Sequence, residues 1–157
     1  DHPETAMCTV VALDHTNLFY TVCSICERII PEKSEVSCGY CKIRTGFNRI
    51  PRLKRLFRVL LSVATDAKVS VVIMFDKSAR VLFGCSADEF FDFAKTHPYA
   101  AMAASRALQG EMLTVTLSNP KTREAQHLRV SSVVPMQTGF RPVMETLRLL
   151  YHGRGGP

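Results

Sequence analysis

Four cysteines offer the clearest chemistry in this chain: Cys23-x-x-Cys26, an interval of 11 residues, then Cys38-x-x-Cys41. Each pair sets two thiolates on one tight turn, and the interval allows a short excursion and return. Four thiolates neutralise a divalent cation and meet the tetrahedral preference of zinc, leaving no open position for a water. The spacing predicts one structural zinc ion held by Cys23, Cys26, Cys38 and Cys41, closing a ribbon over about 20–45. Two disulfides or four unrelated buried cysteines are the competing readings, and no sign of a secretory context favours the disulfides. Gly39 suits the turn of the second knuckle, where a missing Cβ lets amides approach sulfur. Cys8 and Cys85 fall outside the pattern and are expected as small core residues.

The second group is cationic. Lys42, Arg44, Arg49, Arg52, Lys54, Arg55 and Arg58 lie between Cys41 and Leu60 with no acid among them. Such a run either lines a groove that concentrates phosphates and releases their counterions, or forms a solvated face. Arg52, Lys54, Arg55 and Arg58 are the first candidates for nucleic-acid contact, followed by Lys42, Arg44 and Arg49. Tyr40, between two cysteines, and Phe47, beside Gly46, are either base-stacking platforms or packing between ribbon and domain. Arg129, with His127, faces away from Leu128 and Val130 and reaches either nucleic acid or water. Phe57, Phe75 and the phenylalanines around Phe90 are expected in the core.

Enzymatic chemistry is not expected. His2, His15, His97, His127 and His152 show no metal-ligand spacing, and the chain has no phosphate-binding loop or paired-carboxylate motif. At 157 residues, 46% hydrophobic and 22% charged, the composition is that of one folded domain. No apolar run approaches the roughly 20 residues of a membrane helix. The start, Asp1-His2-Pro3-Glu4, does not read as a secretory signal. The net charge of +6 fits an anionic partner without requiring one.

The elements that must position these residues follow from periodicity. Residues 7–22 read as two short strands or one strongly bent strand running into the first knuckle. A basic linker to Lys54 follows. Over 55–64, Phe57, Val59, Leu61 and Val63 alternate with Leu56, Arg58, Leu60 and Ser62. After a turn at 65–68, a second strand runs over 69–75. One helical turn near Ala79–Phe83 stops at Gly84. Ser86 with Glu89 is a capping-box signature for a helix that Pro98 ends, and a further helix covers about 99–108. Strands over 113–117 and 128–134 close the fold. In a last short helix, Val143, Leu147 and Leu150 share a side with Met144 and Tyr151 adjacent; it either packs back on its own domain or presents that stripe to another protein. Five strand units with a helical connection between the third and fourth describe an all-β, five-stranded oligonucleotide-binding (OB) barrel with an inserted zinc ribbon. A small mixed α+β sheet fits the same string. The expected organisation is one domain over 1–151 and a flexible tail over 152–157.

Several segments carry a resemblance. Tyr20-Thr21-Val22-Cys23, the paired knuckles, Phe57-Arg58-Val59-Leu60-Leu61-Ser62-Val63, Val72-Ile73-Met74-Phe75-Asp76-Lys77-Ser78-Ala79 and Leu82-Phe83-Gly84 stand in the order of one known domain. The chain resembles the zinc-containing, C-terminal DNA-binding OB domain of the replication protein A large subunit. Divergent relatives occur in telomere, meiosis and break-repair proteins, among them the large shieldin subunit. The resemblance implies a nuclear module that binds single-stranded DNA. It also implies that the C-terminal helix joins partner subunits through Val143, Met144, Leu147, Leu150 and Tyr151. The first knuckle is shorter than a typical member's. Where the family tends to carry aromatics, this chain has Leu53-Lys54-Arg55-Leu56, so phosphate attraction rather than stacking is expected there. A scaffold that binds mainly protein is the alternative function.

Overall fold

The computed structural model describes residues 3–31, 38–41, 52–122 and 126–152. Alternating apolar residues form β1 (Glu4–Leu13), β2 (Phe19–Cys23), a short β3 (Ile29–Ile30), β4 (Leu53–Ala64) and β5 (Val69–Phe75). Three helices follow, α1 (Asp76–Phe83), α2 (Ala87–Thr96) and α3 (Ala100–Leu108), then β6 (Met112–Ser118), β7 (Leu128–Pro135) and α4 (Val143–His152). Five strands close into a ring in the order β1-β6-β7-β5-β4 and back to β1. Only the β5–β7 pairing is parallel.

The long strand β4 organises the molecule. Along one edge it pairs first with β2, Cys23 opposite Leu53 through Phe19 opposite Phe57, and then with β1 from Leu61 to Ala64. β1 and β2 are therefore one bent path, broken where the Asp14 carboxylate accepts hydrogen bonds from the Thr16 amide and hydroxyl. The other edge of β4 pairs with β5 only from Arg58 onward. Before that point its outward amides meet carboxylates: Arg55 N–H donates to Asp88 and Phe57 N–H to Asp76. Satisfying these amides is necessary because unpaired buried donors are costly. β3 pairs with β2 and completes a small ribbon sheet beyond the ring.

The expected alternation on β4 holds, with Phe57, Val59, Leu61 and Val63 all buried. Phe57 stacks on Phe83 at 4.5 Å between centroids, and Phe83 meets Phe90 edge-on at 5.1 Å. α1 begins at Asp76 and is longer than the single turn expected. Its buried Ser78 hydroxyl donates to the carbonyls of Val130 and Phe75, tying the helix to β7 and β5. Gly84 ends it at φ 69°, with its N–H on the Arg80 carbonyl. A Cβ there would collide with the Pro142 ring at the entry to α4, so both backbone and packing call for glycine. The Ser86–Glu89 capping box is formed in both directions.

Two expectations need correction. The segment reaching Lys54 is not all linker, because β4 begins at Leu53 and the ladder to β2 orders it. Phe75 is half-buried on the outer face rather than in the core: it lies opposite Arg58, and β4 turns Arg58 outward.

Candidate functional site

The knuckle cysteines converge although they arrive from separate segments. Cys23 ends β2, Cys26 follows in the turn, Cys38 precedes a helical stretch at 39–41, and Cys41 lies within it. All four Sγ atoms lie within 4.8 Å of one another. Cys23 and Cys41 are 3.7 Å apart at sulfur, as are Cys26 and Cys38. A tetrahedron built on Zn–S bonds of about 2.3 Å has edges of about 3.8 Å. Sulfurs joined as a disulfide stand at about 2.0 Å. The donor set and its spacing thus fit a tetrahedral metal ion. Burial alone would push the Cys23 thiol up, but the amides of Cys26 and Ile25 bring it down to about 6. Cys41, buried and facing Cys26 and Cys23, is pushed up to about 12. The backbone bends at Glu27, whose φ is 60°, with its N–H on the Cys23 carbonyl. Gly39, expected to make the special turn, is instead helical. The left-handed residue belongs to the first knuckle.

A cleft of about 780 Å³ opens on the outer face where β2, β3, β4 and β5 meet the loop before β7. Tyr20 and Phe75 form its aromatic floor, edge to face at 6.3 Å. Arg58, Lys121 and Arg129 supply positive charge, and the Arg129 guanidinium lies 5.6 Å from the Phe75 ring. His127 and Ile29 complete the walls, so the ribbon itself contributes one side. Burial, with Asp76 and Glu27 nearby, pushes the Tyr20 phenol up, which keeps it neutral and able to donate. Aromatic rings beside cations can stack a base and hold its phosphate.

The structure divides the candidate cations. Arg58 and Arg129 reach the cleft. Arg55 points the other way: its guanidinium lies 3.4 Å from the centre of the Phe91 ring and 3.3 Å from Asp88. Lys54 pairs with Glu27 at 3.2 Å on the ribbon surface, while Arg52 is exposed and accepts the Ser24 amide at its carbonyl. Tyr40 is exposed under the Arg28 guanidinium, 3.7 Å from its centroid. Lys42, Arg44, Phe47 and Arg49 lie outside the described residues. Tyr20, Phe75 and Lys121 are cleft residues that the sequence reading did not assign. Strand parity was the available signal for the aromatics, since both lie next to or across from outward positions of β4.

The candidate partner stripe on α4 is likewise divided. Val143, Met144 and Leu147 are buried in the domain's own core. Tyr151 stacks on His97 at 4.6 Å, and Leu150 is exposed. The helix therefore packs back on its own domain, its buried side set against α3 and α1.

The closed ring, its strand order, the helices between its third and fourth strands and the cysteine ribbon after its first define an OB-fold domain carrying a four-cysteine cluster. Solved structures of replication protein A share this fold. A replication protein A heterotrimer bound to single-stranded DNA matches with a TM-score of 0.64 and 19% identity, over 87% of this chain and 33% of that one. Yeast replication protein A bound to single-stranded DNA matches with a TM-score of 0.66 and 10% identity, over 99% of this chain and 88% of that one. No protein-family model and no curated protein matches the sequence.

Proposed function

We propose that this domain binds single-stranded DNA in the cleft between Tyr20, Arg58, Phe75, Lys121 and Arg129, and that its four cysteines hold one structural zinc. The observation that carries the reading is the convergence, on one open face, of two aromatic rings and three cations from four separate segments. Single strands expose both charge and base faces, and this cleft answers both. The DNA-bound state of both replication protein A structures, and the shared fold, support the same reading. Its role is binding rather than catalysis, within a nuclear genome-maintenance protein.

A titration of labelled oligothymidylate against salt tests it. Replacing Arg58, Lys121 and Arg129 together by Ala is expected to weaken binding and flatten the log–log salt slope by about 2, at about 0.7 per phosphate contact. An unchanged slope sinks the cleft as the binding surface. A partner-binding role is supported by a separate hollow of about 530 Å³ between α3 and α4, lined by Tyr99, Met102, Leu150 and Tyr151. Both functions are compatible, since the two surfaces share no residue.

A further inference from the structure

Part of the β1 edge lies outside the pairing of the ring. Val10 donates its N–H to the Glu111 carbonyl at 2.8 Å, and its own carbonyl accepts from Gly110 at 2.8 Å. Both groups of Val10 thus point toward the β6 side. Alternation along an antiparallel strand then turns the peptide groups of Cys8, Ala6 and Glu4 toward β6, and those of Thr9, Met7 and Thr5 to the opposite edge. On that edge Thr9 is opposite Ala64, where β4 ends. Among the described residues, the N–H and C=O groups of Met7 and Thr5 meet no strand.

β4 likewise overhangs its neighbour β5. Its overhanging edge has the same problem, and there Asp88 and Asp76 occupy the amides. Among the described residues, no carboxylate accepts from the Met7 or Thr5 amide. Beside it runs a cleft of about 580 Å³, floored by Thr5–Thr9 and walled by Ala64, Thr65, Asp66 and Met112. Met7 and Met112 are 64% and 49% exposed at this cleft, flexible side chains able to fit varied apolar partners. The lining contains an acid, Asp66, and no Lys or Arg, and Glu4 precedes Thr5 on the strand. The lining itself thus carries only negative charge, which favours basic side chains over a phosphate backbone.

We propose that the β1 edge is a docking site for an extended peptide of a partner protein, which adds a strand against Thr5 and Met7. The peptide alternates apolar residues, which contact Met7 and Met112, and carries Lys or Arg at the flank facing Glu4 and Asp66. Main-chain pairing supplies the affinity and the side-chain pockets supply the choice of peptide. The site is independent of the DNA cleft, whose residues it does not share.

Panning a phage library of random dodecapeptides against the immobilised domain tests this, followed by titration of the synthetic winners. Enriched sequences are expected to show apolar alternation with a basic flank, and to slow amide exchange at Thr5 and Met7. Met7→Pro is expected to lower their affinity at least about tenfold. Its N–H serves no bond of the ring, so proline removes the docking donor together with the Met7 side chain and breaks no ladder hydrogen bond. Glu4→Lys with Asp66→Lys, which leaves every backbone group in place, is expected to weaken the same peptides and to leave oligothymidylate binding unimpaired. The proposal is overturned by absence of enrichment, by winners that bind both variants as well as the parent, or by winners that oligothymidylate displaces. Protection of Met7 in a concentration-dependent dimer without peptide also overturns it, by assigning the edge to a second copy of the chain.

Discussion

Tyr20 and Phe75, both half-buried, meet at right angles on the outer face of the ring. Their accessible faces suit the stacking of a base. Tyr20→Ala or Phe75→Ala is expected to cost about 1–3 kcal/mol per base lost, a fall in affinity of about fivefold to 150-fold. Tyr20→Phe keeps the ring and is expected to retain most of the affinity, as fluorescence anisotropy with oligothymidylate will read. Arg55 behaves in the opposite way. Its charge is committed to Asp88 and the Phe91 ring, both partly exposed, so Arg55→Ala is expected to lower stability by about 1 kcal/mol in a denaturant melt. DNA affinity is expected to change little. Equal affinity losses for Arg55→Ala and Arg129→Ala would place the DNA on both faces and contradict the assignment. Parity already separates these arginines in the sequence. Arg55 shares the alternation of Phe57, which is buried, whereas Arg58 falls on the other phase.

At the scale of elements, most boundaries follow from punctuation that has a physical cause. Ser86 accepts the Glu89 amide at 3.1 Å, and Glu89 accepts the Ser86 amide at the same distance, so α2 starts where the motif says. Hydrogen bonding to the Glu89 carboxylate, from the Ser86 amide first and the Ser86 hydroxyl second, holds that carboxyl below its ordinary 4.5. A depressed folded-state value means the carboxylate contributes stability above pH 4.5, and that contribution is lost as the pH falls through the folded value. Ser86→Ala is expected to cost about 1 kcal/mol near neutrality. In Glu89→Gln the midpoint of unfolding is expected to vary less with pH below 4.5 than in the parent, which thermal melts across acidic buffers will resolve. β4 is less legible. Its first two residues, Leu53 and Lys54, read as linker because they continue the basic run that follows Gly46 and Pro51, but pairing with β2 supplies what local pattern lacks.

For the whole molecule, the cysteine spacing, the strand order and the helices between the third and fourth strands of the ring were readable because each rests on local periodicity or fixed ligand chemistry. The cleft was not, since Tyr20, Arg58, Phe75, Lys121 and Arg129 meet only through ring closure across distant segments. The same closure decides what the metal supports. β4 from Arg58 onward is held by β5 and β1, independently of the ribbon, whereas Leu53–Phe57 is paired only with β2, which ends at Cys23. Binding energy at a four-thiolate site is folding energy for the segments that carry it. Cys38→Ser, or chelation of the parent, is therefore expected to release the ion and to strip exchange protection from β2, β3 and the first residues of β4. β5, β6, β7 and the helices are expected to keep theirs. DNA affinity is expected to fall with the ribbon, because Tyr20 and Ile29 line the cleft from it. Hydrogen exchange read by mass spectrometry, with metal stoichiometry measured on the same sample, decides the matter. Loss of protection throughout the barrel would make the ion the keystone of the whole fold, and full protection in β2 would remove it from the structure of the cleft.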